Sequence, residues 1–262
     1  MKKITKYLAF VALLTTSCLG SFSEGEIHFR NGEYEKAIRE FSQTLFINVT
    51  DINSLHLRAR AYEELERFEE ALEDYKRIIS IDPRYAQAHA GIGKLYWKQE
   101  NYVNAEKHLL IAAKYDENDF EIIYLLGRAM IMNENFKSAD EFFSIAAKLK
   151  PKDPKVYFYQ GIARSKLGIP DGAAGSFNMC LMYDPENMTA LYNRGLARMS
   201  MGFVYWAIED FETYLKKDPE HLNSLTQLGL CKKIINDPSA CKYLTLAANR
   251  GSEVAKLNME DC

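Results

Sequence analysis

The 262-residue sequence has few of the features that mark a catalytic or metal-binding protein. It contains no Gly-rich phosphate loop of the GxGxxG or GxxxxGK[ST] type, no HExxH motif and no CxxC pair. Its five histidines are widely spaced, at His28, His56, His89, His108 and His221. These absences predict a protein that is not an enzyme, needs no cofactor and holds no metal ion.

A basic excess is also missing. The formal net charge is -3, and removing Lys2, Lys3 and Lys6 with a leader would lower the basic count from 33 to 30 against 36 acidic residues, a net charge of -6. Proteins that bind nucleic acids usually carry a strong positive excess. We therefore expect no nucleic-acid partner. Long Gly/Ser-rich or low-complexity runs are absent too, so no internal domain boundary is predicted.

The sequence does contain many helix-forming residues, and 47% of its residues are hydrophobic, which together indicate an all-α protein. One stretch, Ile52–Tyr85, shows the pattern most clearly. Apolar residues at helical spacing form two groups, separated by a short break and followed by Asp82-Pro83. The first group is Leu55, Ala59 and Tyr62, and the second is Phe68, Ala71, Tyr75 and Ile78. This pattern predicts a helix, a turn and a second helix.

The same pattern returns every 34 residues without a gap. Its small and large positions are Gly93, Ala105 and Leu109, then Gly127, Ala139 and Phe143, then Gly161, Ala173 and Phe177, and then Gly195, Ala207 and Phe211. Partial copies occur at 25–41 and 225–247. The series resembles an array of seven tetratricopeptide repeats. The resemblance implies a right-handed α-solenoid over residues 18–251, with a capping helix over 252–262.

Small residues recur where the two helices of a unit should face each other, as in Ala59 with Ala71 and Gly93 with Ala105. Helices can approach to about 8 to 10 Å only where such residues meet. Large residues recur at one position of each second helix, namely Tyr75, Leu109, Phe143, Phe177 and Phe211. We predict that each of them packs where its own pair meets the next, which would make the core continuous.

The first residues form a separate segment. Lys2, Lys3 and Lys6 precede an apolar run, Tyr7–Leu14, that is too short to span a bilayer. Residues 1–17 therefore read as an export signal.

The residues that follow resemble a bacterial lipoprotein signal, which would make Cys18 the lipidated first residue of the mature chain. The match departs from the usual pattern at Thr15, where a leucine is typical. The resemblance implies a chain anchored at the bacterial cell envelope, at the outer membrane and facing the periplasm, because acyl chains of this kind release very slowly. The alternative is cleavage near Gly20 and a periplasmic or secreted protein.

The remaining cysteines raise the question of a disulfide. Cys180 stands at a core position that is alanine in other units, which indicates a small buried residue. Cys241 lies ten residues before Gly251 and Cys262 eleven after it, so a helix hairpin turning there would bring the two together. We favour that pair, with Cys231–Cys241 and three free thiols as alternatives. Residues 240–257 also resemble a Sel1-type repeat.

In tetratricopeptide arrays the first helix of each pair lines a concave binding face. The residues expected there are His56, Arg60, Lys94, Trp97, Lys98, Tyr124, Arg128, Phe158 and Tyr192. The cations Arg60, Lys94 and Arg128, beside aromatic rings, would suit an extended peptide that offers carboxylates. The alternative is an ordinary solvated helix surface. The asparagines and lysines of the carboxylate-binding chaperone adaptors are not reproduced, so that particular binding mode is not predicted.

The sequence thus predicts a non-catalytic scaffold that binds protein or peptide partners at the cell envelope, with homo-oligomerisation left open. Tetratricopeptide lipoproteins serve in pilus assembly, outer-membrane biogenesis and the control of peptidoglycan hydrolases, so these are the processes that the resemblance implies. The alternative is a periplasmic protein that binds a glycan or small ligand around Tyr124, Phe158 and Tyr192.

Overall fold

The computed structural model describes residues 22–259 and 262, and this part of the chain is all-α, with fifteen helices and no strand. The first helix, α1, covers residues 22–30. The others are α2 Tyr34–Ile47, α3 Ile52–Glu64, α4 Phe68–Ile81, α5 Ala86–Lys98, α6 Tyr102–Tyr115, α7 Phe120–Met132, α8 Phe136–Leu149, α9 Pro154–Lys166, α10 Pro170–Tyr183, α11 Met188–Ser200, α12 Val204–Lys217, α13 Leu222–Ile234, α14 Ala240–Asn249 and α15 Glu253–Leu257.

The helices form successive pairs, which confirms the predicted fold class. From α3 to α13 every first helix begins 34 residues after the previous one, and a three-residue turn links it to its second helix in each pair up to α11–α12. The chain falls into two compact units that meet within α7, one ending at Ala129 and the other beginning at Met130. We describe them as unit 1 and unit 2, each by itself.

The turns inside the pairs share a left-handed residue at the same repeat position. It is glycine in three turns and another residue in four, namely Gly32, Gly168 and Gly202, and Glu66, Glu100, Glu134 and Asn236. In the turn after α5, the Asn101 N–H donates to the Tyr96 carbonyl at 2.9 Å and the Glu100 N–H to the Trp97 carbonyl at 3.0 Å. These two bonds satisfy carbonyls at the helix end in the Schellman manner. A residue other than glycine is strained in this left-handed conformation, which raises the free energy of the folded chain, and the two hydrogen bonds help to offset that cost.

The core of unit 1 follows the predicted alternation of small and large residues. Ala59 and Ala71 are fully buried where α3 meets α4, and the Tyr75 ring lies in the same cluster as Ala88 and Ile92 of α5. A Cβ built on Gly91 would stand 2.3 Å from the Tyr75 ring. Tyr75 therefore fills the space between its own pair and the next, as predicted from its position.

Unit 2 repeats this arrangement with phenylalanine. Phe177 is fully buried with Ala190 and Ala197 of the following helix α11, and Phe211 is buried with Leu228 and Cys231 of α13. Each ring also touches a glycine of its own pair, since a Cβ added at Gly161 would meet Phe177 at 2.6 Å and one at Gly195 would meet Phe211 at 2.8 Å. The glycines therefore make room for the rings.

Polar side chains link three consecutive helices at one recurring position. In unit 1, Arg58 of α3 donates two bonds of 2.7 Å to the buried Asp74 carboxylate of α4 and one of 2.9 Å to the Ser42 hydroxyl of α2. Two sets in unit 2 occupy equivalent positions, Asn178–Arg194–Asp210 and Ser144–Gln160–Ser176. Because a buried charge must be paired, the two sets that contain arginine and aspartate constrain helix register.

The C-terminal end is tied back to the last pair. Helix α15 packs on α13 and α14, the Thr226 hydroxyl donates to Ser252 Oγ at 2.9 Å, and Ser252 accepts from the Ala255 N–H at 3.1 Å. The helix ends at Leu257, so the prediction of a helix over 252–262 was too long. In the structure Cys241 and Cys262 form a disulfide with a Cα–Cα distance of 5.4 Å, which is the pair that the sequence favours.

The two other described cysteines, Cys180 and Cys231, are free and buried, and burial raises the pKa of each thiol to about 11. Across residues 22–259, none of the helices combines the length and the apolar character that crossing a bilayer requires. The predicted export signal and Cys18 lie outside the described residues.

The contact between Gly195 and Phe211 gives a direct test of the packing. We expect Gly195→Ala to destabilise the protein by about 1 to 3 kcal/mol, because the added methyl group overpacks the ring. The matched control is Gly175→Ala in α10, where nothing lies within 4 Å of an added Cβ. There the better helix propensity of alanine should stabilise by up to about 1 kcal/mol. Urea denaturation measures both, and equal shifts of the two variants would contradict the packing.

Candidate peptide-binding groove

The predicted binding residues all lie on first helices of pairs. In unit 1, α3 holds His56 and Arg60, α5 holds Lys94, Trp97 and Lys98, and α7 holds Tyr124 and Arg128. In unit 2, α9 holds Phe158 and α11 holds Tyr192. The structure therefore describes two separate groups of candidate residues.

The unit 1 group surrounds a groove of about 260 Å³. Three of the predicted residues line it, namely His56, Arg60 and Lys94, together with Tyr75, Gln87, Ala90, Gly91 and Ile122. Carboxylates line it as well, and these are Glu63, Glu64, Asp119 and Glu121. Sequence reasoning placed the cations in this groove but missed the acidic residues. The groove is therefore mixed in charge rather than uniformly basic.

The two cations of the groove form no direct ion pair with a described carboxylate. Among the described residues, no carboxylate oxygen lies within 4.0 Å of the charged nitrogens of Arg60 or Lys94. The Arg60 guanidinium lies 5.1 Å from the centre of the Phe29 ring, a cation–π distance that orients the side chain without cancelling its charge. Both groups are exposed, so they can bind an anion that enters the groove.

His56 forms a half-buried wall between these cations and the core. Its Nδ1 lies 3.0 Å from the Tyr85 hydroxyl, and the two rings meet edge to face. Burial, together with the positive charges of Arg60 and Lys94, lowers the pKa of His56 from 6.5 to about 4. The imidazole is therefore neutral at pH 7 and presents a hydrogen-bonding group rather than a third cation.

The other predicted cations lie against aromatic rings. The Arg128 guanidinium is 4.5 Å from the Trp97 ring centre and 5.7 Å from that of Tyr124, and the Lys98 ammonium is 4.8 Å from the Phe68 ring centre. The contact of Arg128 with Trp97 joins the first helices α7 and α5, and the contact of Lys98 with Phe68 joins α5 to α4 of the preceding pair. They hold the charges over apolar surfaces, where a bound peptide could place an apolar anchor beside a carboxylate.

In unit 2 the predicted aromatic residues pack mainly against their neighbours. Tyr192 lies in a cluster with Phe211, Tyr214 and His221, and burial raises the pKa of its phenol. Phe158 packs on Phe177 at a ring distance of 6.2 Å. A separate cavity of about 360 Å³ opens between α9 and α11 and is lined by Ser165, Gly168, Pro170, Asn193, Leu196, Ala197 and Ser200.

Comparison with known proteins shows what these helix pairs are. A family model described as "TPR repeat" matches residues 59–100, and one described as "Tetratricopeptide repeat" matches residues 91–154. Residues 59–154 therefore match tetratricopeptide repeats. Such repeats build protein-interaction scaffolds and are typically not catalytic. Both matches end before residue 240, so the Sel1-type resemblance of the C-terminal end stays a prediction.

Curated relatives match over a limited region. The tetratricopeptide repeat and J domain-containing co-chaperone DNJ1 of Cryptococcus neoformans var. grubii is 29% identical over 97 residues, which cover 36% of this chain and 19% of that protein. The Hsp70-Hsp90 organizing protein of Triticum aestivum is 25% identical over 100 residues, covering 38% and 17%. The chain thus spans less than a fifth of the length of these relatives.

A solved structure extends the likeness to more of the chain. YrrB, described as a TPR protein with an unusual peptide-binding site, is 24% identical and superposes with a TM-score of 0.68. The match covers 71% of this chain and 95% of that one. At this identity it shows the tetratricopeptide fold alone.

One tetratricopeptide pair brings together two histidines that had been expected to lie apart. His89 of α5 and His108 of α6 stack with ring centres 5.6 Å apart and Nδ1 atoms 3.4 Å apart. Burial, the neighbouring His89 and two lysines lower the pKa of His108. Within the described residues no group of three or more metal-binding side chains occurs, so the pair is read as part of the packing. Their facing positions in one helix hairpin were the available signal.

The environment of His56 predicts a specific pH dependence. In the unfolded chain its pKa is near 6.5, whereas the folded protein holds it near 4, so unfolding takes up a proton between these values. Stability should fall as the pH drops from 6.5 to 4, by roughly 3 kcal/mol for this group. His56→Tyr, which copies Tyr192 at the equivalent position, should lose less stability over this range. Urea midpoints at pH 7.5 and 4.5 would measure the difference, and parallel losses would contradict it.

Proposed function

We propose that this protein is a non-catalytic adaptor whose unit 1 groove holds a peptide segment of a partner protein. The observation that supports this best is the pair of exposed cations, Arg60 and Lys94, that face a groove and have no carboxylate partner among the described residues. If these two cations served only solubility, we would not expect both to line one groove beside a neutral histidine. A carboxylate of the ligand would pair with the two cations through charge-assisted hydrogen bonds.

The acidic residues of the groove narrow the range of peptides that could bind there. Glu63, Glu64, Asp119 and Glu121 would repel a peptide with many consecutive acidic residues. They favour a segment in which one carboxylate, from a side chain or a C-terminus, is followed by neutral or basic residues. Charge patterns of this kind select partners by rejecting wrong ones as much as by attracting right ones. We therefore propose a mixed-charge peptide rather than an acidic tail.

Related proteins support a peptide or protein ligand. YrrB is described as having a peptide-binding site, and DNJ1 and the Hsp70-Hsp90 organizing protein are named as a co-chaperone and as an organizer of two chaperones. A glycan ligand, the other candidate from the sequence, has less support. It would need an open ring face in unit 2, whereas Phe158 and Tyr192 pack against their neighbours there.

Charge reversal in the groove tests the proposal. We expect Arg60→Glu/Lys94→Glu to lose capture of its partners, because two carboxylates would then face the ligand carboxylate. The measurement is crosslinking in the cells that express the protein, followed by affinity recovery and quantitative mass spectrometry. Circular dichroism should show unchanged helicity, since both side chains are exposed.

The matched control is Arg39→Glu/Lys107→Glu. These two exposed residues occupy equivalent positions on the second helices α2 and α6 and do not line the groove, while the net charge changes by the same amount. The control should recover partners as well as the wild type. Equal recovery by the groove variant would refute the peptide site, and equal loss by both variants would show a general charge effect instead.

We also propose that the protein acts at a bacterial cell envelope, held by lipid on Cys18. The motivation is the basic and apolar leader that ends at this cysteine. Because the described part of α1 starts at Phe22, only a few residues would separate the lipid from the first repeat. The repeats would then stand close to the membrane that carries the anchor.

The anchor is tested by Cys18→Ala. We expect the wild type to enter the detergent phase on temperature-induced phase separation and the variant to stay in the aqueous phase, because acyl chains contribute about 0.8 kcal/mol per buried methylene. Mass spectrometry of the N-terminal peptide should show acylation in the wild type alone. Detergent partitioning of the variant at the wild-type level would rule out lipid on Cys18 as the anchor.

A further inference from the structure

The first helix pair ends in an exposed apolar tip. Phe46 and Ile47 close α2, and Val49 lies in the loop before α3, with 86%, 61% and 59% of these residues exposed. The Arg77 side chain donates a hydrogen bond to the Val49 carbonyl at 3.0 Å, yet more than half of each of the three residues is exposed. Large apolar side chains that are adjacent and this exposed usually mark a surface that another molecule covers.

Equivalent positions of unit 1 show that a large apolar residue at Phe46 is not a requirement of the repeat, although the positions equivalent to Ile47 are apolar in the next two pairs, at Ile81 and Tyr115. The residues that correspond to Phe46 in the next two pairs are Ser80 and Lys114, and both are exposed. A polar residue therefore serves the fold at this position. The phenylalanine must have another role, since an exposed aromatic ring only lowers solubility.

The tip lies at the end of unit 1 from which the N-terminal segment leaves. Helices α1 and α2 are antiparallel, and the Phe22 ring at the start of α1 lies 5.8 Å from the Phe41 ring in the middle of α2. Phe46 is five residues further along α2, a rise of roughly 7 Å toward the same end. Cys18 precedes Phe22 by four residues, which reach about 14 Å at most. A lipid on Cys18 would therefore lie within reach of the membrane surface that this tip could contact.

We propose that Phe46, Ile47 and Val49 insert into the boundary between headgroups and acyl chains of the membrane that holds the N-terminus. The inference rests on the proposed lipid anchor and adds the orientation of unit 1 on the membrane. An acyl chain alone leaves the protein free to rotate, whereas a second apolar contact fixes which edge of unit 1 faces the bilayer. Apolar side chains of this size typically insert about 5 to 10 Å.

The experiment uses the full acylated chain in vesicles that contain brominated phospholipids. Phe46→Cys is labelled with an environment-sensitive fluorophore. The matched control is Met182→Cys, because Met182 occupies the equivalent repeat position in unit 2 and is 66% exposed. Native labelling should be selective, since Cys180 and Cys231 are buried and have raised thiol pKa values.

We expect bromolipids to quench most of the fluorescence at position 46 and little at position 182. A second variant tests the native side chains: with the label at Val49→Cys, adding Phe46→Ser/Ile47→Ser should relieve the quenching. The midpoint of thermal unfolding of this triple variant should match that of labelled Val49→Cys alone, because the side chains of Phe46 and Ile47 are exposed. Relief of quenching without loss of stability would support insertion of the native tip.

Equal quenching at positions 46 and 182 would overturn the inference. So would a probe at 46 that is shielded from water but not quenched by bromolipids, which would show that a protein covers the tip. The anchor is judged separately by the mass of the Cys18 peptide. Acylation with no selective quenching would refute the tip alone, whereas an unacylated Cys18 would refute the anchor on which it rests.

Discussion

The close approach of paired helices is the constraint on which the rest of this structure depends. A large apolar side chain from each second helix, a ring in most of them such as Tyr75 or Phe211, is buried against a small residue of its own pair and against the following helix at once. No pair can bury that ring alone, so each depends on its neighbour. This requirement dictates the strict 34-residue interval. It also leaves the outward faces of the first helices unconstrained by packing, and those faces are where binding residues can vary.

Buried polar contacts add a second level of order to this apolar packing. Arg58 with Asp74 and Arg194 with Asp210 are equivalent pairs in the two units, and each also reaches the preceding second helix. The same position is apolar in other repeats, as at Ile92 and Leu228. The fold therefore tolerates either solution. An ion pair contributes little net stability when it replaces apolar packing, but it penalises any register that separates its charges.

The groove of unit 1 shows how a repeated scaffold acquires a particular surface. His56 in its wall is neutral at pH 7 because burial and the positive charges of Arg60 and Lys94 lower its pKa. Acidic residues at the end of α3 and at the start of α7 then limit which ligands those cations can bind. Recognition would thus depend on residues that have no role in packing. This separation allows one fold to serve many different partners.

The sequence by itself determined the all-α class, the helix pairs and the large buried residue of each second helix, because these depend on spacing within one repeat. It also indicated the first helices as the binding surface and placed Arg60 and Lys94 there. It did not reveal the acidic lining from Glu63, Asp119 and Glu121, the stacking of His89 on His108, or the early end of the last helix at Leu257. Those features depend on which side chains meet across helices at distances of a few ångströms. Only the tertiary structure decides them, because a one-turn difference in where two helices cross changes every such partner.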